Sequence, residues 1–137
     1  NIKKMMDNFG GYALRNGRII DFVTGRSRMF DKYKLAVPEE RGGVERASYN
    51  YPIQCAGSAL LKISLVLLRR KLIQEGFDKE IQILMPYHDE ISIQALPEYT
   101  EQAKKLLASC MLRAASMAGF DGLGASAASG NSWYDAH

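Results

Sequence analysis

The stretch Ile81-Gln82-Ile83-Leu84-Met85-Pro86-Tyr87-His88-Asp89-Glu90-Ile91-Ser92-Ile93 decides how the chain is read. Two β-rich apolar runs flank a short polar break, which is the pattern of a β-hairpin. Turns usually take Gly, Asn or Asp for backbone reasons. This one holds His88 and the adjacent carboxylates Asp89 and Glu90. Successive strand residues point to opposite faces, so the two acids are expected to divide roles, one contacting a ligand and the other supporting it. A carboxylate on a rigid hairpin tip suits a hard divalent cation such as magnesium. A solvated acidic tip is the plainer alternative.

A second stretch, Arg46 to Gln54, adds weight to the first. Arg46, Asn50 and Gln54 recur every four residues, and Ser58 and Lys62 continue the row. On a helix this is one slowly drifting polar stripe, ~12 Å long from Arg46 to Gln54. Solvent-facing stripes more often carry Glu and Lys. Arg, Asn and Gln are donors that can reach into a groove.

The long helix is expected over Val44 to Glu75, with Pro52 kinking it or marking its first stable turns and Gly76 ending it. From Ala59 to Leu68 nearly every position is apolar, which predicts burial on most sides. Upstream, residues 2 to 15 have helical spacing, stopped by Asn16-Gly17. Gly10-Gly11 fits a helix end better than a nucleotide loop, because no strand precedes it. Arg18 to Thr24 reads as a strand, Gly25 to Arg28 as a turn, and 31–43 as a loop. Arg26 and Arg28 in that turn suit phosphate, or form a solvated basic turn. Downstream, a helix is expected over Glu98 to Met117, with Leu106, Leu107, Cys110, Met111, Ala114 and Met117 on its apolar face. A short edge strand is expected at 123–128, with Trp133 and Tyr134 as anchors beyond it.

The 137 residues suffice for one domain and one core. The expected organisation is a single domain: a helix end over 1–16, a strand and arginine loop over 17–43, and a helix–hairpin–helix–tail over 44–137. Apolar content of 47% and charged content of 24% are those of a globular chain. The formal charge of +3 is compatible with a polyanion partner and weak evidence for one. The Ile63–Leu68 run is flanked by Lys62 and Arg69-Arg70-Lys71, too short a stretch to span a bilayer. No secretory signal opens the chain. Cys55 and Cys110 read as buried, reduced thiols of a cytoplasmic protein, and with His88 and His137 they lack zinc-ligand spacing. Asn1 in place of Met reads as a fragment or a processed product.

Taken together, four motifs resemble the C-terminal part of the palm of family A DNA polymerases, the DNA polymerase I type. They are Thr24-Gly25-Arg26-Ser27-Arg28, Glu45 to Gln54, Pro86-Tyr87-His88-Asp89-Glu90-Ile91, and Gly130 to His137, in that family's order. The resemblance runs from about residue 17 onward. The Gln54-Cys55-Ala56-Gly57-Ser58-Ala59 run is more similar to the phage branch than to the bacterial repair branch. A phage or prophage enzyme working in the host cytoplasm is the expected origin.

The resemblance implies a palm-like α+β fold, a small antiparallel sheet with the catalytic hairpin packed by two long helices. It implies that Asp89 is a magnesium ligand, Glu90 its neighbour and His88 a contact to the primer end. It also implies that Arg46, Asn50 and Gln54 read the minor groove at the template–primer end, and that Arg26 and Arg28 lie on a loop contacting the DNA backbone. Purine N3 and pyrimidine O2 acceptors occur in every base pair, so donors can probe them without reading sequence. Primer–template DNA and a deoxynucleoside triphosphate (dNTP) are the implied partners.

The departures matter as much. Two-metal transfer needs a second Asp, and no matching motif is present; Asp21 sits in a different sequence context. The nucleotide-binding fingers helix is absent. Pro86 is atypical, and the Ser/Ala run at 125–129 replaces a more apolar strand. The chain therefore reads as half of an active site, completed by the remainder of a longer polymerase or by a second polymerase chain. A non-catalytic DNA-binding module and a magnesium-dependent hydrolase built on the hairpin are the competing readings.

Overall fold

The computed structural model describes residues 2–136, and its backbone divides into two compact units, 1–59 and 60–137. The elements are α1 (Ile2–Asn16), β1 (Arg18–Ile20), β2 (Ser27–Met29), α2 (Lys32–Ala36), α3 (Pro38–Glu75), β3 (Ile81–Tyr87), β4 (Glu90–Ala95), a 3-10 turn (Pro97–Tyr99) and α4 (Thr100–Met117). This is the expected α+β class, with small antiparallel sheets and long helices. The strands form two separate two-stranded sheets, β1–β2 and β3–β4, in place of one.

In the first unit, the strand expected over 18–24 ends at Ile20. Asp21 is the cause. Its carboxylate accepts from the N–H groups of Val23 (3.1 Å) and Thr24 (2.7 Å) and from the Thr24 hydroxyl, so the side chain takes the donors a ladder would need. The chain turns there and returns as β2, with Ile19 opposite Arg28. Residues 31–43 are mostly helical where a loop was expected. The Asp31 carboxylate accepts from Tyr33 N–H (2.8 Å) and caps α2. Pro38 then opens α3 at a position where its missing N–H costs nothing, with Glu39 and Glu40 in the favourable first turn.

Helix α3 passes through Pro52 without ending. Its buried positions here are Val44, Ser48, Pro52 and Ala56, again four apart. They are offset by two residues, about 200°, from Arg46, Asn50, Gln54 and Ser58, all exposed. The polar row therefore runs along the face opposite the buried one. Ala13 and Ile19 complete this unit's apolar interior.

In the second unit, Leu68 and Leu72 from α3, Ile81 and Ile91 from the hairpin, and Ala103, Leu106, Leu107 and Cys110 from α4 form one core. Both helices end alike. Phe77 N–H reaches Leu72 O at 2.9 Å across Gly76 (φ +74), and Phe120 N–H reaches Ala115 O at 2.9 Å across Gly119 (φ +81). These are Schellman ends, for which glycine is favoured at the left-handed position. Burial of residues 59–68 is less complete than expected. Ala59, Ser64 and Leu68 are buried, but Val66 is 49% exposed. By length and composition α3 could cross a membrane, although only 28% of its most apolar window is buried in the protein. Met117, expected on the packed face of α4, is exposed, and Ala103 and Ala115 are buried there instead.

Residues 123–130 form no strand. Gly, Ala and Ser give a strand little side chain to pack. Trp133 (54% exposed) and Tyr134 (84%), read as anchors, are both exposed. The tail contains a turn: the Ser132 hydroxyl donates to Asp135 Oδ2 at 2.7 Å, and Gly130 lies against the backbone of Asp135 and Ala136 too closely for any side chain. His137 lies outside the described residues.

Candidate functional site

The β3–β4 hairpin pairs Ile81 with Ala95 through Ile83 with Ile93, then shifts register, so that Met85 faces Ser92, Pro86 faces Ile91 and Tyr87 faces Glu90. Leu84 is the extra residue of a β-bulge. Before it, Ile81 and Ile83 share the core face. After it, the phase inverts, and Met85 and Tyr87 come to the exposed face while Pro86 lies opposite buried Ile91. Proline in a strand removes a ladder donor and is tolerated at edges and bulges. Pro86 lies two residues beyond this bulge.

The bulge sets the tip. His88 and Asp89 form its two-residue loop, and His88 has φ +53, the one positive φ outside glycine among the described residues. Such a conformation costs a non-glycine residue roughly 1–2 kcal/mol. The Tyr87 ring meets the His88 ring edge-on, centroids 4.3 Å apart. A contact of this kind is worth about 0.5–1.5 kcal/mol, enough to offset much of that strain.

His88, Asp89 and Glu90 are all exposed, and the structure brings them together at one tip. Asp89 and Glu90 border the same groove of about 670 Å3, along β4, Thr100 and Lys104 of α4, and the 124–136 tail. The opposed directions expected from strand alternation do not hold, because Asp89 is a turn residue and only Glu90 belongs to a strand. Among the described residues no group of three or more His, Cys, Asp or Glu side chains could hold a metal ion. The two adjacent carboxylates still fit one side of a magnesium site. That ion commonly takes one or two protein carboxylates and fills its remaining positions with water and substrate phosphate.

In the first unit, Arg46, Asn50 and Gln54 lie on α3, and Arg26 and Arg28 on the β1–β2 hairpin. Arg28 stacks over the Phe30 ring, 5.7 Å from its centroid. Asp21 is fully buried at the start of the hairpin's own turn. Burial pushes its carboxyl up, but the Thr24 hydroxyl, the Val23 and Thr24 N–H groups and Arg26 outweigh it and hold the carboxyl below its ordinary value. Asp21 is thus a turn-forming anchor whose hydrogen-bonding capacity is spent locally. The Asp-x-x-Thr-Gly pattern from 21 to 25 was the available signal for this. The Tyr51 hydroxyl is raised by its hydrogen bond to Cys55, then by burial, with Asp21 adding to the rise. The two residues are four apart on α3, the spacing that makes helix side chains neighbours.

The Asp21 anchor predicts a pH-dependent cost. A carboxyl lowered in the fold stabilises it above the unfolded value, and that contribution is lost as pH falls through the folded one. Asp21→Ala is expected to lose about 1–3 kcal/mol at pH 7. Urea denaturation at pH 7 and pH 3 checks this: the gap between variant and parent narrows at the lower pH.

The sequence matches the family model described as DNA polymerase family A over residues 1–135. It is 31% identical over 91 residues to DNA polymerase I A, chloroplastic, of Oryza sativa subsp. japonica, covering 65% of this chain and 8% of that protein. It is 23% identical over 119 residues to DNA polymerase I of Rhizobium leguminosarum, covering 80% of this chain and 12% of that one. The fold resembles the POL domain of Pol1 from M. smegmatis in complex with DNA primer-template and dNTP, with a TM-score of 0.72 at 20% identity, over 82% of this chain and 19% of that one. The chain thus spans about a tenth of the length of these relatives and a fifth of the solved domain.

Proposed function

This chain belongs to DNA polymerase family A, and on that premise we propose that it is the C-terminal catalytic part of a template-directed DNA polymerase, extending a primer 3′ end. The observation that carries the proposal is the exposed His88-Asp89-Glu90 tip, two carboxylates bordering one groove. The second catalytic carboxylate and the fingers belong to an upstream segment or a partner chain. Magnesium bound there would supply the positive charge that favours the primer alkoxide and the triphosphate. Asp89 and Glu90 are the residues of this chain that would hold it. His88 contacts the primer end.

Arg46, Asn50 and Gln54 donate to minor-groove acceptors of the newly paired duplex, and Arg26 and Arg28 meet its phosphates. Exposure of the α3 row opposite the helix's buried face supports this assignment. The Gln54–Ala59 run supports a phage origin, and with it action in the host cytoplasm. Gln54→Ala is expected to cost about 1 kcal/mol of transition-state binding, roughly a fivefold loss in primer extension, with more misincorporation. Single-nucleotide incorporation assays with matched and mismatched dNTPs read both. Unchanged rate and fidelity would remove the α3 row from the interface.

The test of the whole proposal is primer extension by this chain joined to, or co-expressed with, its upstream coding sequence. A second reading is a non-catalytic primer–template binding module, which needs only the exposed donor row of α3. That module binds DNA with a steep salt dependence and extends no primer with any partner.

A further inference from the structure

The tip carries one side chain that the assigned chemistry does not use. Tyr87 lies directly before the His-Asp-Glu run, opposite Glu90 in the closing pair of the hairpin, and is 51% exposed. Had β3 kept its phase, Tyr87 would share the face of Ile81 and Ile83 and turn toward the core. The extra residue Leu84 sends it to the other face. There its ring and the His88 imidazole meet edge to face, 4.3 Å between centroids, and His88 is the residue held at positive φ.

A bulge, a strand proline, a strained histidine and an aromatic contact thus fall within five consecutive residues. Bulges commonly re-aim a side chain beside a functional site, and backbone strain persists only where neighbours over-determine it. We infer that Tyr87 is the positioning residue for His88, its ring fixing the imidazole in the orientation from which it contacts the primer end. This rests on the primer-end role proposed above for His88. Tyr87 acts through the ring face and edge, and not through its hydroxyl, so Phe preserves the function and an aliphatic residue of similar volume does not.

Two measurements test it. The first is nuclear magnetic resonance of the His88 ring in the full chain. Tyr87→Leu is expected to abolish the ring-current displacement of the His88 Cδ2 and Cε1 protons, and Tyr87→Phe to keep it. The second is steady-state primer extension by the chain with its upstream segment. Tyr87→Leu is expected to raise KM for primer–template roughly three- to tenfold, and Tyr87→Phe to restore it. A Leu variant whose His88 protons do not move overturns the proposal, as does a raised KM that Phe fails to restore. If His88→Ala leaves extension unaltered, the primer-end role of His88 falls instead, and the resonance measurement still decides whether Tyr87 holds the ring.

Discussion

Asp89→Ala is expected to reduce primer extension by the completed polymerase by about a thousandfold or more, while affinity for primer–template changes by no more than roughly twofold. The asymmetry follows from position. Asp89 is exposed at the hairpin tip, outside the buried core, so its loss leaves the packing of β3, β4 and α4 intact. DNA grip is assigned to Arg46, Asn50, Gln54, Arg26 and Arg28, none of which the substitution touches. What disappears is a carboxylate for a divalent cation, whose charge stabilisation is worth several kcal/mol, and each 1.36 kcal/mol is a factor of ten in rate. Glu90→Ala is expected to do less, on the order of ten- to a hundredfold, as for a supporting group. Rapid-quench extension paired with equilibrium DNA binding separates the two quantities. Wild-type extension in the Asp89 variant would return the tip to the status of a solvated turn.

The second large effect concerns stability. Leu68→Ala is expected to cost about 2–5 kcal/mol, because Leu68 is fully buried in the core where α3, the hairpin and α4 meet. Domains of this size are stable by only about 5–15 kcal/mol, so the change consumes a large part of the margin. Val66→Ala, two residues earlier on the same helix and half-exposed, is the internal control, expected to cost less than about 1 kcal/mol. Urea midpoints followed by far-UV circular dichroism compare the two. Equal losses would mean that the buried side of this helix segment has been assigned wrongly.

Elements whose pattern comes from burial were legible before any coordinates. Helices α3 and α4 carry long apolar segments, and β3 and β4 carry β-branched residues around a polar break, so α4, β3 and β4 lie within a few residues of their expected bounds, while α3 ends where expected and starts six residues early, at Pro38 instead of Val44. The candidate site was legible for a different reason: Arg46, Asn50 and Gln54 are the wrong residue types for an idle surface, and Asp89 with Glu90 the wrong ones for an idle turn. Periodicity failed where a side chain overrode the backbone preference. Asp21 ended β1 by taking two N–H groups for itself. Asp31 and Pro38 started helices inside a stretch of loop-like composition. The Gly/Ala/Ser tail has no pattern for a periodicity argument to use. The contact of Tyr87 with His88 depends on a shift of phase that residue types do not announce.

That shift makes the arithmetic of strand length unusual here. A strand presents its side chains by odd and even count, so insertions or deletions ahead of the hairpin turn matter by parity before they matter by size. Loss of Leu84 alone would remove the bulge and leave Met85, Pro86 and Tyr87 opposite Ser92, Ile91 and Glu90 on the faces they now hold, whereas loss of Leu84 with a neighbour would leave this strand one residue short of its partner. The single deletion this arm can absorb is therefore that of the bulge residue itself, which turns an irregular ladder into a regular one.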